Sequence, residues 1–442
     1  MKFARWEVKR YKIDPLVKYV RPEYFKVRVK GEEYYWVPIT QMAFKLSRLE
    51  RIFLSTHEEL GPNDPIKWTS FYVPITLYKF RDNNQVSSLV FFLTPRCNLR
   101  CTYCYGRGGE IDLPDLTEEE IHVMLKTFPS VKHVTFHGWG EPTLKLELIK
   151  NILRRYGRRY NWSIGTNGVY YDRREEVAKM LKQYNVKVTL SMDSIPEIND
   201  RQRLDMKGQG SSKEVINTIE TFQQYNINFG LRSTVSKGSL PYLKPWVDWL
   251  YEHGIYRIKL EPLWVAGRTS CKDEYSTPPD LMVFGKELVD TYLYGRKKGV
   301  LVTSTFLPFA YRTRFCSATK STSLVLYNNK YIGTCWEEMI DIDSPFVIGK
   351  MSKYGSKYKV ELFKDKIERL KTRDQIHMFS SKCEQCPVKY SCAGGCPYKS
   401  WKYNNRSLDV PGENREACNS RVYILKLLID RAFNTTRGKD TH

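Results

Sequence analysis

The sequence predicts an α/β fold centred on a partial (β/α)6 TIM-like barrel, preceded by a small α+β, winged-helix-like region and followed by a cysteine-rich region. Three observations predict it. From residue 88 to about 262, strand-like and helix-like segments alternate, the rhythm of β/α units around a parallel sheet. The first 85 residues and those beyond about 300 break that rhythm. The 11 cysteines crowd into two regions, and 442 residues are more than one hydrophobic core usually serves. The expected boundaries are 1–85, 86–300, 301–430 and a flexible tail at 431–442.

Taken in order, "YFKVRVKGEEYYWVP" (24–38) alternates around a glycine turn and predicts a hairpin. "ITQMAFKLSRLERIFLS" (39–55) predicts a helix. In the central region "SSLVFFLT" (87–94) predicts a buried strand. Thr117 and Glu120 then form a capping box that opens an amphipathic helix. "KHVTFHG", "WSIGT", "VKVTLSMD", "INFGLRSTV" and "YRIKLEPL" continue the strands, with helices between them and one more at 279–297. Chemistry in such a barrel sits at the C-terminal ends of its strands. Beyond residue 300 long helices are expected to be scarce until "RVYILKLLIDRAF", and "TTRGKDTH" (435–442) predicts disorder.

The composition narrows the function classes. The N-terminal stretch has no apolar run of signal-peptide type, and "LVFFL" (89–93), the longest apolar run, is too short to cross a bilayer. A cytoplasmic protein is therefore expected, without a membrane partner. In that reducing setting cysteines serve as metal ligands or catalytic groups more often than as disulfides. A formal charge of +22 fits a nucleic-acid partner, an acidic peptide or protein substrate, or simply a Lys/Arg-rich surface. Basic residues alternate with Tyr and acidic residues rather than forming a block, so nucleic acid is possible but not favoured.

"RCNLRCTYCYG" (96–106) places Cys97, Cys101 and Cys104 on the loop after the first barrel strand, with Tyr103 before the last of them. Three thiolates on a short loop can each ligate one iron of a [4Fe–4S] cluster, leaving the fourth iron without a protein ligand. Zinc is the alternative, but structural zinc takes four ligands and no fourth Cys or His lies nearby in sequence. This stretch resembles the signature of the radical S-adenosylmethionine (SAM) enzymes, whose open iron chelates the methionine part of the cofactor.

The resemblance extends further. "FHGWGEPTL" (136–144) is similar to the family's Gly-Gly-Glu-Pro segment, with Trp139 in place of the first Gly, and implies that Gly140, Glu141 and Pro142 receive the methionine ammonium. "GTNG" (165–168) and "SMDS" (191–194) resemble segments that hold the methionine carboxylate and ribose. Thr166, Asn167, Ser191 and Asp193 are the candidates there, each also explicable as a turn or cap residue. "NDRQR" (199–203) resembles a His-Asp-x-x-Arg segment of peptide-modifying members, with Asn199 replacing His. Arg232 has a counterpart near the cofactor carboxylate.

The second cysteine group, "CEQCPVKYSCAGGC", resembles the core of the SPASM domain that follows the barrel in many of these enzymes. The resemblance implies one auxiliary [4Fe–4S] cluster on Cys383, Cys386, Cys392 and Cys418, and another on Cys316, Cys335 and Cys396. With the cluster on the first loop, that makes three. The sulfatase-maturing relatives have one more ligand upstream of the Cys316 position. Here only Cys271 is left, either as a distant fourth ligand or as an inert buried thiol. Where those relatives have an Asp after the Cys335 position, this chain has Trp-Glu, making Glu337 the candidate general base.

The resemblance implies a radical SAM peptide maturase that abstracts hydrogen from a ribosomally made peptide, giving a crosslink or other oxidative change. It also implies an external one-electron reductant such as ferredoxin or flavodoxin. Residues 1–85 would then recognise a leader segment or merely cap the barrel. The alternatives are a formylglycine-generating protein maturase, a nucleic-acid-modifying radical enzyme, and, in another class, a zinc-stabilised nucleic-acid-binding protein.

Overall fold

The computed structural model describes residues 2–5, 19–59, 73–74, 85–338 and 341–434. The chain falls into two compact units, one comprising 1–83, 305–316 and 373–442, the other 84–304 and 317–372.

The first unit begins with β1 (Lys2–Arg5), β2 (Tyr19–Val20), β3 (Phe25–Val29), β4 (Glu32–Val37), β5 (Met42–Lys45), α1 (Arg48–Thr56) and β6 (Val73–Pro74). The antiparallel sheet has the order β1-β5-β4-β3, with β2 and β6 paired separately. Lys30 and Gly31 both take positive φ (48° and 81°), the two-residue turn whose twist matches a hairpin. Tyr35, Val37, Phe44 and Leu54 form its core. The helix expected over 39–55 begins only at Arg48. The turn closed by the Gln41 amide on the Pro38 carbonyl (3.2 Å) hands Met42–Lys45 to the sheet as a third hairpin strand. Ser47 and Glu50 then cap α1 reciprocally.

The second unit runs β7 (Ser88–Phe92), α2 (Glu118–Thr127), β8 (His133–His137), α3 (Leu146–Tyr156), β9 (Asn161–Thr166), α4 (Arg174–Gln183), β10 (Lys187–Ser191), α5 (Pro196–Gln202), α6 (Ser212–Gln224), β11 (Phe229–Val235), α7 (Leu243–Glu252), β12 (Arg257–Pro262), α8 (Leu281–Lys298) and β13 (Leu301–Thr303). It ends with β14 (Ser323–Leu326), β15 (Tyr331–Gly333), β16 (Val347–Tyr354) and β17 (Lys357–Leu362), followed by α9 (Lys364–Phe379). All six expected barrel strands are present. The sheet order is β13-β12-β11-β10-β9-β8-β7-β14-β15-β16-β17, parallel from β13 to β14 and antiparallel beyond. Two parallel strands, β13 and β14, thus extend the expected six, one on each side. Both are too short, at three and four residues, to show a period in sequence. The 16-residue α9 corrects the expected scarcity of long helices; its charged, weakly patterned sequence hid it.

One face of each parallel strand packs under helices. Val134, Phe136, Ile164, Leu190, Leu231, Ile258 and Leu260 are buried there against residues such as Ile152, Phe222 and Trp246. On β8 to β12 the alternate residues face inward and are mostly polar, which is why those strands alternate in sequence, whereas on β7 and β14 the inward Val90, Phe92 and Val325 are buried and the strands read as continuous apolar runs.

The chain closes in the first unit with α10 (Ser381–Glu384), α11 (Lys389–Cys392), α12 (Pro397–Tyr403) and α13 (Arg415–Asn434). Ala393, Gly394 and Gly395 all take positive φ, so the chain leaves α11 sharply and starts α12 at Cys396. The expected disordered tail at 435–442 lies outside the described residues.

The capping box of α2 also ties two distant strands together. The buried Glu120 carboxylate accepts from the Thr117 amide (2.9 Å) and from Lys330 Nζ (2.8 Å) of the β14–β15 turn. Thr117→Ala removes only a cap and is expected to cost about 1 kcal/mol. Glu120→Ala also strands the Lys330 ammonium and is expected to cost about 3 kcal/mol. Urea midpoints of the two variants check the order.

Candidate active site

The loop after β7 carries Cys97, Cys101 and Cys104, of which Cys101 is buried and the other two are partly so. Its course is set by backbone bonds to the segment after α5: the Arg100 amide donates to the Leu204 carbonyl (2.6 Å) and the Thr102 amide to the Gln202 carbonyl (2.9 Å). Arg268, on the loop after β12, clamps the other side by donating to the Cys101 (3.0 Å) and Gly108 (2.6 Å) carbonyls. Nothing local in the sequence marks Arg268, whose partners lie 160 and more residues away.

The thiols sit close enough to raise one another's pKa. Burial, then Cys101, pushes Cys97 up to about 12, and burial pushes Cys101 up to about 11. Thiols so placed lose their protons when a cation takes the sulfur. Amide donors already point at them, from Leu99 to Cys97 Sγ (3.4 Å) and from Gly108 to Cys104 Sγ (3.5 Å). Among the described residues no three His, Cys, Asp or Glu side chains close on a single-ion position. A cubane asks instead for one thiolate per iron at wider spacing. The donor set and the polarised surroundings fit a [4Fe–4S] cluster.

The loop after β8 presses against the cysteine loop. A Cβ on Gly140 would fall 1.9 Å from the Arg96 carbonyl oxygen, so only glycine fits. Glu141 follows, 2% exposed. Its Oε1 accepts from the Thr143 amide (3.1 Å) and hydroxyl (2.7 Å) and from the Thr166 hydroxyl (2.8 Å), and its Oε2 accepts from the Asn167 amide (2.7 Å). Burial raises its pKa and these donors oppose the rise. Glu141 is thus a clasp between the loops after β8 and β9. Pro142, also buried, begins the short turn it caps. Asn167 extends the clasp to the cysteine loop, donating to Asn98 Oδ1 (2.8 Å) and toward Cys97 Sγ (3.8 Å).

Tyr103 and Asp193, 90 residues apart, meet in a buried hydrogen bond. Arg203 joins them, donating to the Tyr103 hydroxyl (2.8 Å) and lying 3.8 Å from Asp193 Oδ2. The other Asp193 oxygen accepts from the Thr234 amide (2.9 Å). Asn199 Oδ1 accepts from the Asp193 amide (3.1 Å), and Asp200 caps α6 through the Ser212 amide and hydroxyl (2.7 Å each). "NDRQR" therefore works as a latch. Arg203, the member that reaches the site, was visible only as the last residue of that segment.

Ser191 ends β10 in register with Arg232 on β11. Arg232 is exposed on the inner face and its guanidinium has no hydrogen-bond or ion-pair partner among the described residues. His137, at the end of β8, faces the same interior. Its Nδ1 is buried without a partner, its ring lies against Trp336 (5.0 Å between centroids), and burial followed by Arg232 lowers its pKa to about 4. Strand parity alone could have singled out His137. Glu337, next to Trp336, has a buried Oε2 without a partner, and it adds to the burial that raises the Tyr105 pKa.

In the first unit, Cys383, Cys386, Cys392 and Cys418 come together. Burial and the neighbouring thiols raise the pKa of each of Cys386 (to about 12) and Cys383, and burial, with Cys383 adding to it, that of Cys418. Cys396 starts α12, its amide donating to Glu413 (3.1 Å), and Arg421 pairs with the same oxygen (2.7 Å). Cys316 belongs to this unit and Cys335 to the other. Cys271 is exposed at positive φ (55°), which corrects its reading as an inert buried thiol: the loop that carries it stands off the helices.

Residues 91–239 match the model of the radical SAM superfamily. The chain carries a radical SAM domain over these residues. The family binds SAM and a [4Fe–4S] cluster. The chain is 32% identical over 230 residues to the Fe-coproporphyrin III synthase of Methanosarcina barkeri, a match covering 50% of this chain and 55% of that enzyme. It is 24% identical over 330 residues to the cysteine-type anaerobic sulfatase-maturating enzyme of Clostridium perfringens, covering 68% and 85%. Two solved structures share the fold. One is anSMEcpe with bound AdoMet and a peptide (TM-score 0.61, 19% identity, 79% of this chain and 99% of that one). The other is Streptococcus suis SuiB bound to its precursor peptide SuiA (TM-score 0.54, 15% identity, 90% and 99%). Among the described residues no helix is long and apolar enough to cross a membrane.

The latch makes a clear energetic prediction. Arg203→Met leaves the Asp193 carboxylate buried without its cation and is expected to cost about 3–5 kcal/mol. Tyr103→Phe removes two hydrogen bonds, to Asp193 and from Arg203, but keeps the Arg203 cation beside Asp193, and is expected to cost about 2 kcal/mol. Chemical unfolding of the two variants measures the difference.

Proposed function

We propose that this enzyme is a maturase of a ribosomally made peptide. The observation that carries the reading is the gathering of the three-cysteine loop and the loops after β8, β9 and β10 at the C-terminal ends of the parallel strands. Cys97, Cys101 and Cys104 would hold the cluster. When bound, the cluster and SAM supply a 5′-deoxyadenosyl radical by one-electron reductive cleavage, the electron coming from a ferredoxin- or flavodoxin-like donor.

The chain's own residues divide the remaining work. The backbone at Gly140 and Glu141 would meet the methionine ammonium, because the Glu141 carboxylate is already filled by four donors. Arg232, with no internal counter-charge, would take the methionine carboxylate, with Ser191 beside it. Asp193 and Thr166 hold the surrounding loops through Tyr103, Arg203 and Glu141. The burial of these groups excludes water from a reactive carbon radical.

Cys383, Cys386, Cys392 and Cys418 would hold an auxiliary cluster, which would supply a site for the electron that a substrate radical gives up; the other expected ligands, Cys316, Cys335 and Cys396, are divided between the two units. The peptides bound in the anSMEcpe and SuiB structures support a peptide substrate. Strand β3 ends its sheet and pairs only with β4 among the described strands, so it is open to a leader peptide added as a further strand. A second reading, formylglycine synthesis, is favoured by the unpartnered Glu337 oxygen, a ready proton acceptor.

Anaerobically reconstituted wild type is expected to hold about 12 Fe per chain, and the Cys97/Cys101/Cys104→Ala variant about 8, with 5′-deoxyadenosine formed only by the wild type. About 4 Fe in the wild type would remove the auxiliary clusters. Retained 5′-deoxyadenosine in the variant would remove the assignment of the first loop.

A further inference from the structure

The β10 to β12 part of the inner face of the parallel sheet is cationic. Lys187 on β10, Arg232 on β11, and Arg257 and Lys259 on β12 share the inward parity, since the residues between them (Val188, Leu231, Ile258) are buried under the helices. Ser191, Arg232, Lys259 and Thr303 form one row across four strands by register. Below it runs a row with Gly165, Thr189 and Gly230, and below that one with Thr135, Ser163 and Lys187. The His137 ring lies where a Cβ on Gly165 would be (2.8 Å), and the Arg257 stem lies against the Cβ position of Gly230 (3.5 Å).

Counter-charge on this face is scarce. Glu261 pairs with Lys259 at 3.2 Å. The side chains of Lys187, Arg232 and Arg257 have no hydrogen-bond or ion-pair partner among the described residues. Like charges lining one concave surface repel each other and focus a positive potential that an anionic ligand relieves. Once Arg232 is assigned to the cofactor, Arg257 and Lys187 still have no counter-charge, and both lie toward the N-terminal ends of the strands, away from the cysteine loop.

We propose that this lumen anchors an acidic segment of the peptide substrate, with Arg257, Lys187 and Lys259 binding Asp or Glu carboxylates while the reacting residue sits above at the cysteine loop. This rests on the peptide-maturase reading. The spacing suits an extended chain. Cationic residues two apart on β12 stand ~7 Å apart along the strand, matching the ~7 Å between alternate side chains of an extended peptide. Carboxylates at i and i+2 thus meet cations in successive rows.

The test uses the full reconstituted chain, loaded with SAM, and needs no turnover. Calorimetry measures binding of a Glu-Gly-Glu-Gly-Glu-Gly hexapeptide, of its Gln counterpart, and of free glutarate. The Glu peptide is expected to bind at least about tenfold tighter than the Gln peptide, an advantage that shrinks with added salt. Arg257→Gln/Lys187→Gln is expected to lose about tenfold for the Glu peptide, while Arg257→Lys retains most of the affinity and the exposed control Lys126→Gln retains all of it. Unchanged cluster absorbance and SAM affinity in the double variant show that it is folded. Equal binding of Glu and Gln peptides, or equal losses in the control and double variants, would overturn the proposal. Glutarate binding as tightly as the hexapeptide would overturn the peptide assignment in favour of a small carboxylic acid. Absence of 5′-deoxyadenosine from the wild type with dithionite would instead defeat the underlying radical reading, whatever the binding result.

Discussion

The candidate site depends on how Glu141 is held. A carboxylate at 2% exposure is costly unless its lone pairs are filled, and here four donors from two segments of the chain fill them. Those donors come from residues 143, 166 and 167, so satisfying one buried charge forces the loops after β8 and β9 together. The preceding residue, Gly140, then lies flat against the Arg96 carbonyl at the start of the cysteine loop. One desolvated group therefore sets the positions of three loops.

A second buried charge works the same way from the opposite side. Asp193 binds Tyr103, Arg203 and the Thr234 amide, linking the cysteine loop to the ends of β10 and β11. Between the two clusters the cysteine loop has little freedom, and rigidity is what a site handling a reactive carbon radical needs. Asp193 and Glu141 hold the loops around the site in position, whereas the Arg232 guanidinium is exposed and has no ion-pair partner among the described residues.

The inner face of the sheet follows another logic. Barrel interiors are usually filled with branched apolar side chains. In this chain the inner face is divided: on β7 and β14 Val90, Phe92 and Val325 form an apolar cluster with Trp139 and Tyr327, whereas on β8 to β12 it carries mostly cations, hydroxyls and glycines. The outer face adds further hydrophobic burial, through strand residues such as Phe136 and Leu260 against helix residues such as Phe222 and Trp246.

Local physics explains what could be seen in the sequence. The period-2 alternation of "VKVTLS" and "YRIKLEP" marked strands because inward and outward positions differ in polarity, and Thr117 with Glu120 marked the start of α2 because a cap is a local hydrogen-bond pair. The spacing of Cys97, Cys101 and Cys104 was equally legible, since one short loop holds all three. Strands β13 and β14, the β5 segment within an expected helix, and the clamp from Arg268 were not legible, because each is decided by pairing with residues distant in sequence. The sequence by itself determined the order of the β/α units and the grouping of three cysteines on one short loop. Only the tertiary structure decided that Glu141 is a clasp, that Arg203 completes a latch with Tyr103 and Asp193, and that Lys187, Arg232 and Arg257 share one face of the parallel sheet without a counter-charge among the described residues. In each case the deciding term is the burial, or the missing counter-charge, of a group whose partners come from other strands.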